Sequence, residues 1–484
     1  MKRKPNIIVN IHLFVGLWVS IIEILSEDYN VIITTRSYNK RFLESHFPNS
    51  LLNIENRDEC DKKIMREELC QVDHIKKALE YENKYNETFS MLMSQDRGLG
   101  KGYIFNADRH PYQAKESWSY KNKSKKILKE FMFWEYIVEK YAPVLCITLL
   151  VPQKIFSLVS RTKGITFVSL RGCRYGNRWL WAEDEYGRSA KYIENVQKHV
   201  AMVSDNSENP IDYVRDNISK YLNQGEYRFS SAIKKLFLRF PGDLYRFLTG
   251  YYRKNDGYRF LAWYPAILRR PYVYKYFQKY GKKPDELRSF KLIFFPLHLE
   301  PEMSLLLRSP GQNNSMELIS WISKSLPADT ILVIKEQPHA YGIRSRRYYE
   351  NYRKIPNVAL ASPEISSWEW IKQSRIVATI TGTAGIEAVY FEKPILSFGK
   401  HEIINYLPSV RYANNFESVR KAIEELIALP PDDLSFKKSK TALYNAQIES
   451  SFEMLGLEKL INSRDIHMDF AKQVVASLKN EYGF

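Results

Sequence analysis

No stretch of this chain runs for about eighteen residues without a polar interruption, so a membrane-spanning helix is not expected. Cysteine is scarce. Cys60, Cys70, Cys146 and Cys173 are the only four, and none forms a Cys-x-x-Cys pair. That spacing excludes a zinc knuckle and a disulfide framework, and a reduced cytoplasmic setting is the simple inference. Cys146 lies in an apolar run and reads as core. Asp-x-Asp, a usual metal–diphosphate motif, does not occur. Helix-turn-helix, zinc-finger and RNP-type patterns are missing too, so nucleic acid is not the expected partner. No internal repeat links the two halves.

Charge and aromatic residues are what the chain has in plenty. At 484 residues, 44% of them apolar, it can fill two ordinary domain cores. The net charge of +17 calls for an acidic partner. A nucleotide sugar, an anionic glycan and an anionic bilayer all fit. The opening Met1-Lys-Arg-Lys-Pro5 superficially resembles a signal peptide. Asn6, Asn10 and His12 interrupt the apolar run, and no small-residue cleavage site follows. Ile7 to Phe14 is therefore predicted as a first strand.

The N-terminal half reads as one α/β unit. A helix is predicted over Leu17 to Ser26 and a strand over Val31 to Thr35. Cys60 to Glu87 is polar and reads as long exposed helices. Lys125 to Tyr141 is amphipathic, with Ile127, Leu128, Phe131, Trp134 and Ile137 apolar. Pro143 to Val151 and Ile165 to Leu170 read as strands flanking a helix from Gln153 to Lys163. Two loops stand out. Asp96-Arg97, followed by Gly98 and Gly100, sets a carboxylate beside a cation, and an Asp held by hydrogen bonds can act as a general base. A surface ion pair is the plainer alternative. Arg171-Gly-Cys-Arg174 follows a strand end, where two guanidiniums suit an anionic sugar or phosphate. A solvated rim pair is the alternative there.

Residues 207–285 mark a shift in composition. From Ile233 to Lys283 about thirteen Lys/Arg face two Asp, interleaved with Tyr and Phe. This stretch can lie on an anionic membrane or receive an acidic glycan. It can equally be a solvated helical insertion whose aromatics pack beneath. Pro271 and Gly281-Lys-Lys-Pro284 close it.

From Lys291 the pattern alternates strand and helix. Strands are predicted at Lys291 to His298, Thr330 to Lys335, Asn357 to Ala361, Ile376 to Ile380 and Lys393 to Gly399. Helices fall at Ser315 to Ser325, Tyr348 to Lys354, Ser367 to Ser374 and after Gly385. This is the signature of a doubly wound parallel sheet. Thr381-Gly-Thr-Ala-Gly385 is a small-residue turn at a helix N-terminus, where backbone N–H groups suit a phosphate. Glu387, read into the first helical turn, can accept from a ribose. The alternative is an ordinary βα turn whose glycines allow close helix–strand packing. His298-Leu-Glu-Pro-Glu302 follows the first of these strands. His298 can bind or protonate a leaving phosphate, and Glu300 can contact an acceptor or orient His298. A plain loop histidine is the alternative. Helical periodicity continues from Phe436 to Leu457 and from Ile466 to Leu478.

In their order, Pro-Leu-His-Leu-Glu-Pro-Glu302, Val-Ile-Lys-Glu-Gln-Pro338, Tyr-Tyr-Glu-Asn351 and Thr-Gly-Thr-Ala-Gly-Ile-Glu-Ala388 resemble the bacterial capsular polysaccharide synthesis family. That family is similar to the β-Kdo transferases. The resemblance is best over residues 290–425, with a looser match at Asp96 to Gly100 and Lys154 to Arg178. It implies a GT-B-like α/β fold, two Rossmann-like domains facing a cleft, with the helical basic insertion and C-terminal helices added. The implied segments are 1–206 on the acceptor side, 207–285 as insertion, 286–428 for the nucleotide sugar and 429–484 as helices packing back. The implied activity is a metal-independent glycosyltransferase, without cofactor, moving a sugar from a CMP- or UDP-linked donor to a surface-polysaccharide or lipid-linked acceptor. It would be cytoplasmic or peripheral on the inner membrane face. Asp96, His298 and Glu300 take catalytic positions. Lys335, Glu336, Gln337, His339, Thr381, Gly382, Thr383, Ala384, Gly385 and Glu387 fall on the donor, and Arg97, Arg171, Arg174 and Glu302 on the acceptor. Related CMP-sugar transferases carry His-Pro where this chain has Gln337-Pro338, with His339 just after. Two rival readings are an epimerase of the same fold and a non-catalytic glycan-binding scaffold.

Overall fold

The β-branched runs form two separate, largely parallel sheets. A computed structural model of the chain describes residues 4–12, 15–47, 53–67, 73–104, 118–149, 153–202, 227–254, 260–454 and 468–483. Met1, Phe14, Cys70, Val151, the 207–226 part of the insertion, Leu457 and Ile466 lie outside the described residues. The chain divides into two compact units. One comprises Met1–Phe89, Trp118–Asn195 and Ala446–Phe484; the other comprises Ser90–Ser117 and Val196–Asn445. These units cut the chain elsewhere than the segments drawn from sequence. Asp96 and Arg97 fall in the second unit, and the described part of the basic stretch belongs there as well.

In the first unit the strands are β1 (Asn6–Asn10), β2 (Asn30–Thr35), β3 (Asn53–Asn56), β4 (Leu145–Leu149), β5 (Thr166–Gly172) and β6 (Arg178–Ala182). Their spatial order is β3-β2-β1-β4-β5-β6, with Phe452–Glu453 beside β6. All neighbours from β3 to β5 pair in parallel, with Ile7 set against Val31 on one side and Leu145 on the other. Alternate residues of these strands, such as Ile7, Val9, Ile33 and Ile147, share a core with Trp18, Ile22 and Leu25 of helix Val15–Asp28. Helix Met468–Tyr482 adds Phe470, Val474 and Leu478 to the same core. Trp181 Nε1 donates to Ser477 Oγ at 2.9 Å, and Lys479 pairs with Asp28. The tail is thus held by apolar burial, with the exposed ion pair a minor addition.

Two expectations fail here. Helices Arg57–Glu67 and His74–Tyr85 are not simply exposed. Ile64, Ala78, Tyr81 and Tyr85 are buried, and Tyr85 stacks on Phe131 of helix Tyr120–Tyr141 at 4.6 Å. The phenols of Tyr81 and Tyr85 both donate to Glu135 at 2.6 Å, so the polar look of the segment hides an aromatic stripe with satisfied hydroxyls. Arg171 is not in a loop at a strand's carboxyl edge. β5 continues to Gly172 and turns back into antiparallel β6, so Arg171 sits in a hairpin ladder opposite Leu180. Its guanidinium donates to the Gly187 carbonyl. Arg174 occupies the hairpin turn with φ of 64°.

The second unit holds β7 (Lys291–Pro296), β8 (Thr330–Lys335), β9 (Val358–Leu360), β10 (Ile376–Thr379), β11 (Ile395–Ser397) and β12 (Val410–Tyr412). The order is β9-β8-β7-β10-β11-β12, parallel throughout. Period-two alternation explains the layers. Ile293 and Phe295 share a core with Leu318, Ile322, Val419 and Ile423 of the helices on one face. Phe294, between them, stacks on Trp370 from another helix. A sheet covered on both faces needs continuous apolar strands, which these are. Chain order reverses at β7: β8 and β9 lie to one side, β10 to β12 to the other. A crevice outside the carboxyl ends of β7 and β10 follows from that topology, and ligands of open α/β sheets bind at such points.

Candidate functional site

His298 and the Thr381 turn lie at the ends of the two strands that flank this switch point. Two residues after β7, His298 is buried, and its Nε2 accepts the Thr381 N–H at 3.1 Å. Gly382 is the N-cap of helix Thr383–Tyr390, and its N–H donates to Thr379 Oγ1 at 3.3 Å. A Cβ at Gly382 would sit 3.2 Å from His298 Nε2 and 3.3 Å from Thr379 Oγ1, so a side chain there crowds the turn. In the first turn of this helix the Gly385 N–H reaches back to the Gly382 carbonyl at 3.3 Å, while those of Thr383 and Ala384 have no acceptor within the helix.

Gly385 does something else. A Cβ there would meet Ile404 Cδ1 at 2.8 Å and Thr379 Cγ2 at 2.9 Å. It is the packing glycine of the turn, pressed on neighbouring side chains. Ala384 is buried and Thr383 exposed. Glu387 is the fifth residue of the helix, just past the first turn in which it is expected. Burial raises its carboxyl pKa against hydrogen bonds with Thr383 and Trp368.

Beneath the turn lies a buried ion cluster that the sequence reading did not single out. Arg344 Nη1 donates to Glu336 Oε2 at 2.6 Å, and its Nη2 lies 3.2 Å from Glu300 Oε2. The same Nη2 donates to the His298 carbonyl. Tyr349 OH also donates to Glu336 Oε2 at 2.6 Å, and the Gln337 N–H donates to Glu336 Oε1 at 2.8 Å. The other oxygen of Glu300 accepts the Ser315 N–H at 2.8 Å, at the head of helix Ser315–Lys324. Burial works against the Arg344 charge, yet Glu336, with Glu300, outweighs it and raises its pKa. Both carboxylates are therefore clamps that fix the loop after β7 and the end of β8.

Lys335 points away from the turn. Its Nζ is buried and donates to the carbonyls of Ile365 at 2.6 Å and Ser362 at 3.3 Å. Burial lowers its pKa from 10.5 to about 8. The sign follows directly. The unfolded chain keeps a proton that the folded chain releases between those values, so stability should rise as pH goes from about 8 toward 10.5. Lys335→Met should flatten that rise in urea titrations across the same pH range. His339 is exposed on the next loop, and Gln337 is half-buried beside it.

The Asp96 loop meets this constellation inside the same unit. Arg97 Nε donates to the Pro301 carbonyl at 2.8 Å. Asp96 Oδ1 accepts the N–H groups of Gly98 at 2.6 Å and Leu99 at 3.0 Å, so its carboxylate is held in a tight turn. Glu302 is the N-cap residue of the short helix Met303–Arg308. The structure thus gathers Asp96, Arg97, His298, Glu300, Glu302, Glu336, Thr381 and Gly382 in the second unit, while Arg171 and Arg174 belong to the first. Among the described residues no three His, Cys, Asp or Glu side chains come together as a metal site.

Residues 245–402 match the family described as capsule polysaccharide biosynthesis protein. No curated relative matches the chain. Among solved structures, the β-Kdo 2,7 transferase KpsC of Thermosulfurimonas dismutans is similar over 75% of this chain and 97% of its own, at 12% identity and TM-score 0.33. The UDP-GlcNAc 2-epimerase of Neisseria meningitidis, bound to UDP-GlcNAc, is similar over 99% of this chain and 100% of its own, at 12% identity and TM-score 0.31. The MnaA–UDP structure from S. aureus covers 99% and 97%, at 12% identity and TM-score 0.26. Likenesses this distant leave the chemistry to be argued from the site itself. The matched stretch, residues 245–402, holds both the His298–Thr381 bridge and the Arg344 cluster.

Proposed function

We propose that the second unit binds the phosphate of a nucleotide-activated sugar at the β7–β10 crevice and transfers the sugar to a hydroxyl of a surface polysaccharide or lipid-linked glycan. The observation that carries this reading is the His298–Thr381 bridge at the head of helix Thr383–Tyr390, at the sheet's switch point and inside the family segment. The acceptor oxygen attacks the anomeric carbon and gives its proton to the Asp96 carboxylate. The bond from the anomeric carbon to the phosphate oxygen breaks, and the oxygen keeps the electron pair. Negative charge then grows on the phosphate, where the helix N–H groups stabilise it without reorganising. His298 fixes the turn and faces the same phosphate. Arg344, Glu300 and Glu336 hold its loop in place. Lys335, engaged with two carbonyls, supports the strand end.

The test is a thermal-shift screen of CMP, UDP, GDP and CDP. One of them at a hundred times its dissociation constant should add about 2.7 kcal/mol of stability. Gly382→Val should abolish that shift with a modest loss of stability. Gly385→Val should instead unfold the protein more easily, by about 1–3 kcal/mol, through overpacking against Ile404 and Thr379. A folded Gly382→Val protein that binds nucleotide normally would sink the site. Donor consumed without any acceptor would replace transfer by epimerisation, and glycan binding indifferent to nucleotide would favour a scaffold.

A further inference from the structure

Helix Phe229–Leu248 carries apolar residues at three- and four-residue spacing: Phe237, Pro241, Leu244 and Leu248, with Leu238 and Tyr245 alongside. Such a stripe ordinarily faces a core. Here the core side of the helix is elsewhere, at Ala232 and Asp243. Asp243 accepts from Arg239 Nε at 2.8 Å and from Tyr252 OH at 2.9 Å, and pairs with Arg246. The stripe itself is left outside. Phe237 is 74% exposed, Leu238 72%, Tyr245 70% and Leu248 73%. Phe240 and Phe247 border it, both exposed. Burying such side chains is favourable in proportion to the apolar area removed from water. A contiguous exposed face of this kind marks an interaction surface.

Charge decides the partner. From Arg228 to Lys254 there are seven Lys/Arg and one acid, Asp243, already paired. Lys234 is exposed one turn before the stripe. A second copy of a chain with net charge +17 would bring like charges together, which disfavours self-association through this face. No described helix is long and apolar enough to cross a membrane, so the helix would lie on the surface. An apolar face bordered by cations is the pattern of an interfacial helix on anionic lipid.

We propose that helix Phe229–Leu248 docks the protein flat on an anionic lipid bilayer, with Phe237, Leu238, Tyr245 and Leu248 inserted among the acyl chains. Docking is independent of what the crevice transfers. The neighbouring helix Tyr264–Tyr280 nevertheless links the two: Arg270 Nη2 donates to the His339 carbonyl at 3.4 Å and Nε to the Tyr341 carbonyl at 3.4 Å. The docking face is therefore one helix away from the loop that leads to Arg344.

Co-sedimentation of the full chain with phosphatidylcholine vesicles, with and without phosphatidylglycerol, tests this. The protein should pellet with the anionic vesicles, and less so as salt rises. Phe237→Asp with Leu238→Asp should lower the partition coefficient about tenfold or more, since tenfold is only 1.4 kcal/mol. Nucleotide-induced thermal shifts should be unchanged, because the substituted residues are exposed and remote from the turn. Lys234→Glu with Lys235→Glu should weaken binding chiefly at low salt. No pelleting with anionic vesicles at low salt overturns the proposal, and so does a Phe237/Leu238 variant that pellets like the parent. A concentration-dependent dimer in sedimentation velocity, lost in that variant while vesicles bind neither protein, would assign the face to a second copy.

Discussion

Asp96→Asn should lower glycosyl transfer by about two to four orders of magnitude, the usual loss when a general base is removed. The substitution is a clean one. Asp96 Oδ1 accepts the Gly98 and Leu99 N–H groups, and the amide oxygen of Asn can accept both. The turn should therefore stay folded, and Arg97 should keep its bond to the Pro301 carbonyl. Donor binding should hardly change, because the phosphate site proposed above lies at β7, β10 and the Thr381 turn. Single-turnover assays with a labelled donor would read the chemical step, and nucleotide thermal shifts would read binding. Glu300→Gln is the necessary comparison. Its Oε1 can still accept the Ser315 N–H, but the ion pair with Arg344 is lost. If Glu300→Gln loses stability and activity together, it behaves as a clamp. If it folds normally and transfer collapses while Asp96→Asn stays active, the base is Glu300. Full activity in both leaves transfer without a base and favours the rival functions.

The second sheet was legible because each of its strands is a short apolar run between turn residues. Thr330–Lys335 runs as predicted, and β7 and β10 each lie inside the longer stretch predicted for them. In the first half, Val31 to Thr35 and the run around Cys146 gave two strands by the same signal. Legibility failed where charge hid burial. His74–Tyr85 is polar by composition, yet Ala78, Tyr81 and Tyr85 recur on one buried face, and both tyrosines pack on Phe131. It failed again at Leu170, where no turn signal at Arg171-Gly-Cys-Arg174 distinguishes a βα loop from a hairpin. The antiparallel ladder from Ser169–Ala182 to Gly172–Trp179 shows the chain turning back.

The site was half legible. His298 and Thr381-Gly382 read as candidates by position, as residues that follow strands, and one hydrogen bond joins the two segments. The two glycines of the turn could not be told apart in sequence, since both precede or open a helix. Their environments separate them: His298 lies beside Gly382, and Ile404 beside Gly385. A lysine at the end of a strand reads as a phosphate ligand, but side-chain direction at a strand end is set by packing. Its amine reaches the 362–365 carbonyls instead. Arg344 was missed altogether. It sits in Ile343-Arg-Ser-Arg-Arg347, which reads as a solvated charge run. No local pattern tells which of three arginines turns inward; the two glutamates that select it come from the ends of β7 and β8.

That cluster sets the largest stability effect expected in the molecule. Arg344→Met should destabilise the fold by about 3–5 kcal/mol, the cost of leaving buried charge without its partner. Glu336 would keep only Tyr349 and the Gln337 N–H, and Glu300 only the Ser315 N–H. The His298 carbonyl would lose its donor, so the loop after β7 should loosen and the Thr381 bridge with it. Nucleotide thermal shifts should fall together with stability, unlike the outcome for Asp96→Asn. Removing the stranded charge gives an independent check. Adding Glu300→Gln and Glu336→Gln to Arg344→Met should restore stability at neutral pH, because neutral groups can keep the amide and phenol hydrogen bonds without a stranded charge. Urea titrations of the single and triple variants at neutral pH would measure this. An Arg344→Met protein as stable as the parent at neutral pH would mean that solvent already reaches the cluster, and that His298 is positioned by something else.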